Sequence, residues 1–273
     1  MTDSRPRRRA DGSGEHELGP EVLESVGTPG DRGPAPKLSA REQAMRTASI
    51  LVGSIIITLL LLHVIPYGRI IAYPLLLLST LVHEMGHGLA ALVVGADFEQ
   101  FVMYADGSGV AVWRGDVGRF GRAFISAGGL VGPACFAALG FAMGRNERRA
   151  RIALWIFGLF LIAALVLVVR NVFGAFFVLA TATICLGVAA KGKPWVSHVV
   201  LLFIACQLAL SVFSRSDYLF TDEAETQLGM MPSDVARMAD ALLLPYWFWG
   251  GVCGLLSVAI LFIGLRASVA KRS

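Results

Sequence analysis

Apolar runs of about twenty residues recur along this chain, at 48–65, 70–95, 122–144, 150–169, 172–190, 195–214 and 246–266. A helix crossing a bilayer needs roughly 20 such residues. The pattern predicts an all-α polytopic membrane protein of about 6–7 transmembrane helices. The bulk composition agrees. Hydrophobic residues make up 55% of the chain and charged residues 16%, whereas soluble domains are about a quarter charged. The net charge of +4 is small. Its basic residues read as loop charges facing lipid headgroups, which excludes a nucleic-acid surface.

Residues 1–46 differ from everything after them. They are rich in Pro, Gly and charge of both signs. Such a segment cannot bury enough apolar area to offset its ordering entropy, so a disordered N-terminal tail is expected there. It is not read as a signal peptide, because the first apolar run begins near Ala48. Residues 47–268 form the expected multi-span domain. Charge bias does not orient it. Lys37, Arg41 and Arg46 favour an inside N-terminus, yet seven crossings then put "GRNERRAR" outside. Cys135, Cys185, Cys206 and Cys253 all fall within apolar runs and have no CxxC spacing. They read as small buried hydrophobes.

The second run contains "HEMGH", with His83, Glu84 and His87 among apolar neighbours. On a helix, positions i and i+4 share a face, so both imidazoles can address one Zn²⁺. Glu84 then lies beside the ion, where a carboxylate can take a proton from water. Random placement of this chain's His and Glu produces the pattern with a probability of roughly three in a thousand. Ionisable groups inside a span are costly and are functional by default. Gly86 leaves room for a helix or a substrate to approach.

After this helix comes "DFEQFVMYADGSGVAVWRGD", too polar to cross a bilayer. Two strand-like runs flank a Gly-rich turn, which predicts a small β-hairpin. Further on, Arg170 and Asn171 interrupt the apolar stretch from Ile152 to Ala190. They read either as a polar turn or as groups facing the metal cavity, with Arg170 stabilising an oxyanion or Asn171 orienting substrate. His63 and His198 read as interfacial or hydrogen-bonded histidines, and His16 lies in the tail.

On these residues the chain resembles the M50 metallopeptidases, the site-2 protease superfamily of intramembrane zinc proteases, and within them the M50B-like branch. "HEMGHGLAALVVG" carries the resemblance. "SAGGLVGP", the Arg170–Asn171 pair and "PSDV" followed by "PYWFWG" are weaker echoes. The resemblance implies a zinc endopeptidase, with Glu84 as catalytic base and the hairpin holding substrate as an added strand. It further implies a transmembrane protein substrate, reached within the lipid bilayer, and residence in the plasma membrane of a bacterium. The chain departs from the better-known site-2 proteases in having no Asn-Pro-x-Pro-Asp-Gly stretch, which supplies their third metal ligand. Asp217, at the end of the sixth run, is the preferred third ligand here, with Asn171, Asp222, Glu223 and Asp234 as alternatives. A chain in which no carboxylate reaches the metal would be a non-catalytic relative (a pseudoprotease). A metal or proton transporter is the other alternative.

Overall fold

The structure is a computed structural model, and it describes residues 40–214, 219–227 and 229–269. The chain divides into two units, Met1–Leu38 and Ser39–Ser273. Most of the expected tail therefore lies outside the described residues. Among the described residues, eight helices and four strands follow in the order α1 (Ala40–His63), α2 (Gly68–Val93), β1 (Asp97–Met103), β2 (Gly109–Arg114), α3 (Gly118–Met143), α4 (Glu147–Leu167), α5 (Val172–Lys191), α6 (Pro194–Ser214), β3 (Glu223–Thr226), β4 (Gly229–Pro232), α7 (Asp234–Leu242) and α8 (Tyr246–Val269). Seven of the helices, all but α7, are long and apolar enough to cross a membrane. The first begins before the tail's expected end at 46. Glu42 in its first turn complements the helix dipole, and Arg46 bonds Glu147 at the start of α4, 2.8 Å away.

The helices are not equivalent. Of their apolar windows, 72% is buried in α2 and 61% in α3, against 17% in α1. Thus α2 and α3 form the centre, and the outer helices turn side chains such as Ile56, Val172 and Leu255 outward, as a lipid-facing surface requires. The α2–α3 seam depends on small residues. A Cβ on Gly86 would lie 2.3 Å from the Gly128 carbonyl oxygen, and one on Gly128 would lie 2.5 Å from the Ala90 Cβ.

The first hairpin folds back along α2. Its strands pair antiparallel, Phe101 opposite Ala111, with a bulge between Phe98 and Gln100. Its tip is tied to α2 by Thr80, which donates to the Gly107 carbonyl at 2.7 Å, and by Tyr73, which donates to the Ala105 carbonyl at 2.6 Å. A strand pair beside a membrane helix must have its edges satisfied. The outer edge of β1 is satisfied by the break between α4 and α5. Phe101 N–H donates to the Val168 carbonyl at 2.7 Å, and Arg170 N–H donates to the Phe101 carbonyl at 3.0 Å. Asn171 completes the pairing, donating through Nδ2 to the Met103 carbonyl at 2.6 Å and accepting from Met103 N–H at 3.2 Å.

The second hairpin pairs β3 with β4 and leads into α7. Ser233 ties this junction together. Its backbone N–H donates to the Asp222 carbonyl at 2.9 Å, and its hydroxyl donates to the Thr221 carbonyl at 2.7 Å. The same hydroxyl accepts from Ala236 N–H at 3.1 Å, an N-terminal cap for α7. Val235, Met238 and Ala241 then bury one face of α7 with Ala123, Leu130 and Val131 of α3 and Cys253 of α8.

Candidate metal centre

His83 and His87 lie one turn apart on the enclosed helix α2, and their Nε2 atoms are 3.2 Å apart. The Nδ1 of His87 lies 2.8 Å from the Ile125 carbonyl. An Nδ1–H donated there leaves the Nε2 lone pair for a metal. The third donor comes from the first residue of α7. Asp234 Oδ2 is 3.1 Å from His83 Nε2 and 3.2 Å from His87 Nε2. That oxygen is buried and has no aligned hydrogen bond, so three lone pairs converge on one point. Tetrahedral zinc with bonds near 2.0–2.1 Å holds its ligands about 3.3 Å apart, and the three separations here fit that edge length. Burial pushes the Asp234 carboxyl up. The two imidazoles, when protonated in the absence of metal, outweigh it and hold the group well below the usual carboxylate range; with a metal the imidazoles must be neutral and the carboxylate ionised. Among the described residues this is the one group of three such donors that closes on itself.

Asp217, the expected third ligand, lies outside the described residues. The carboxylate brought to the imidazoles is Asp234, one of the alternatives. The local signal in "PSDV" is the helix start alone: the Ser233 cap fixes the first turn of α7, from which Asp234 projects.

Glu84 is buried beside the two imidazoles, and its Oε2 accepts the Ala111 N–H at 2.8 Å. A cavity of about 270 Å³ opens over the site, bounded by His83, Glu84, His87, Ala111, Asp234 and the second hairpin. Behind His83 a smaller space of about 40 Å³ is lined by Ser79, Ser211 and Ser257, large enough and polar enough for water.

A family model described as Peptidase M50B-like matches residues 51–264. The chain belongs to the M50B-like peptidase family. No curated protein and no solved structure matches it.

In this M50B-like protein, of the alternatives open for Arg170, Asn171 and Gly86, the structure shows the polar turn and the helix approach, not the cavity. Neither Arg170 nor Asn171 lines the cavity. Asn171 is engaged with β1, and the Arg170 guanidinium donates to the Val169 and Leu167 carbonyls at the end of α4. Those carbonyls lack helical partners and need donors, so the pair anchors the hairpin instead of the substrate. Gly86 faces α3 at the helix seam. The glycine that matters to the centre is Gly129, where a Cβ would lie 2.2 Å from His87 Nε2. Gly129→Ala is expected to displace the His87 ring and weaken zinc binding at least about tenfold, measured by competition with a chromogenic chelator. His198 is a buried histidine whose Nε2 meets the Gly144 carbonyl at 2.8 Å, remote from the centre.

Proposed function

We propose that this protein is a zinc-dependent intramembrane endopeptidase that hydrolyses a peptide bond in or near the membrane-spanning segment of a membrane protein. The observation that carries the reading is the convergence of two imidazoles and a carboxylate beside Glu84, in a cavity bordered by an open strand edge. A plasma membrane of a bacterium is the proposed location.

His83, His87 and Asp234 would hold the ion. A Zn²⁺ held there supplies a Lewis acid that makes water a competent nucleophile and polarises a carbonyl. The chain's own groups do the rest. A transmembrane helix hides its carbonyls within its own hydrogen bonds, so the substrate must be held extended. β1 already spends its outer edge on residues 168–171, which leaves β2. The Ala111 N–H points to the cavity side, and by the two-residue period Gly109 and Trp113 present their backbone groups the same way. An extended segment added to that edge would run past Glu84. Glu84 is placed to accept the proton of the attacking water and return it to the leaving amine.

Purified protein in detergent is expected to carry about one zinc per chain by elemental analysis. Cleavage of a membrane-tethered reporter should stop on chelation and return with added Zn²⁺. Protein that is metal-free as purified, takes up no Zn²⁺ and cuts nothing would make it a non-catalytic relative.

A further inference from the structure

The ionisable side chains on the cavity wall divide into two sets. His83, Glu84, His87 and Asp234 form the centre. Arg122 of α3 and Arg237 and Asp240 of α7 form the rim. Arg237 follows Asp234 by three residues, one helical turn and roughly 5 Å along α7. Arg237 is exposed and lines the same cavity as the ligand cluster. Arg122 stands one turn before Ser126 on the opposing wall. Neither guanidinium forms a salt bridge among the described residues, and Asp240 forms none with either. By contrast Arg119, one turn earlier on α3, is engaged with the Ala241 carbonyl at 2.7 Å.

Two unpaired guanidiniums against one carboxylate make the rim cationic. In the centre, a dication would be offset by Glu84 and Asp234, so it would not reverse that sign. Guanidinium recognises carboxylate through a fork of donors, and both arginines are exposed and accessible to a bound strand. We propose that Arg122 and Arg237 are specificity-determining residues that select a substrate strand bearing an acidic side chain within a residue or two of the cleaved bond. This rests on the peptidase reading above, and it adds the class of sequence that the site accepts.

Binding, measured apart from cleavage, tests it. Full-length Glu84→Gln protein loaded with Zn²⁺ is titrated with fluorescent β-prone peptides that differ only by a central Glu or Gln. The Glu peptide is expected to bind about tenfold tighter at low ionic strength, with the advantage shrinking in salt. In the Arg122→Gln/Arg237→Gln protein, still zinc-loaded, the two peptides should bind within about twofold of each other. Equal binding of both peptides by the Glu84→Gln protein, or binding of neither, overturns the proposal. So does a Glu preference that survives in the double variant, because that carboxylate has gone to the metal. A double variant whose only defect is weaker association with anionic nanodiscs assigns the arginines to lipid headgroups and overturns it as well. Hydrolysis of the same peptides by wild-type protein is read separately. Selective binding without hydrolysis would keep the rim assignment and count against the peptidase.

Discussion

Replacing Asp234 with Ala is expected to abolish zinc retention and cleavage together. The variant removes one of three converging donors and leaves His83 and His87, which are only one turn of a single helix. Losing a group that only orients a metal ligand costs zinc affinity about 10–100-fold, and loss of a direct ligand should exceed the upper end. Elemental analysis after dialysis against a weak chelator should find well under one zinc per chain. Thermal unfolding adds an independent readout. Zinc bound only to the folded state at a thousand times its Kd stabilises by about 4 kcal/mol. Wild type should therefore melt at a higher temperature with zinc than with chelator, and Asp234→Ala should melt at one temperature in both. The decisive companion is Asp217→Asn, which should keep its zinc. If Asp217→Asn loses the metal and Asp234→Ala holds it, the ligand set is wrong. Asp234→His offers a third imidazole and should recover part of the zinc.

The contrast between those two aspartates shows what sequence could and could not reach. The seven spans were legible because each is a long apolar run, and the spans in the structure depart from the expected ends by only a few residues. His83, Glu84 and His87 were legible because their spacing is local: one helical turn sets their relation before any tertiary contact forms. The third ligand is a tertiary fact. It depends on α7 being capped by Ser233 and laid against α3 by Val235 and Met238, and nothing local in "SDVARM" says which wall that helix joins. For Arg170 and Asn171 the choice between turn and cavity stayed open for the same reason. A polar pair inside an apolar stretch announces a constraint without naming its partner, and the partner is a strand edge some 70 residues earlier, at Phe101 and Met103. The hairpin itself was visible in its turn residues, while its return along α2 rests on Tyr73 and Thr80, residues with no distinguishing pattern around them.

Glu84→Gln should separate chemistry from architecture. The Glu84 carboxylate does two things in this site: it stands beside the ligand cluster, and it accepts the Ala111 N–H of the open edge of β2. A glutamine side chain keeps the second role, because its amide oxygen can accept the same hydrogen bond, but it cannot take a proton from water. Zinc content and melting temperature should therefore match wild type, and binding of a peptide to the β2 edge should be retained. Turnover should fall by about 10²–10⁴-fold, the range that a positioned general base contributes, with the loss in kcat and little change in KM. Glu84→Ala is the informative contrast. It removes the acceptor as well and leaves a partly buried N–H unpaired, at about 1–3 kcal/mol, so that variant should lose stability where the glutamine variant does not. Turnover by Glu84→Gln within tenfold of wild type would take Glu84 out of the proton transfer, even if every zinc measurement came out as expected.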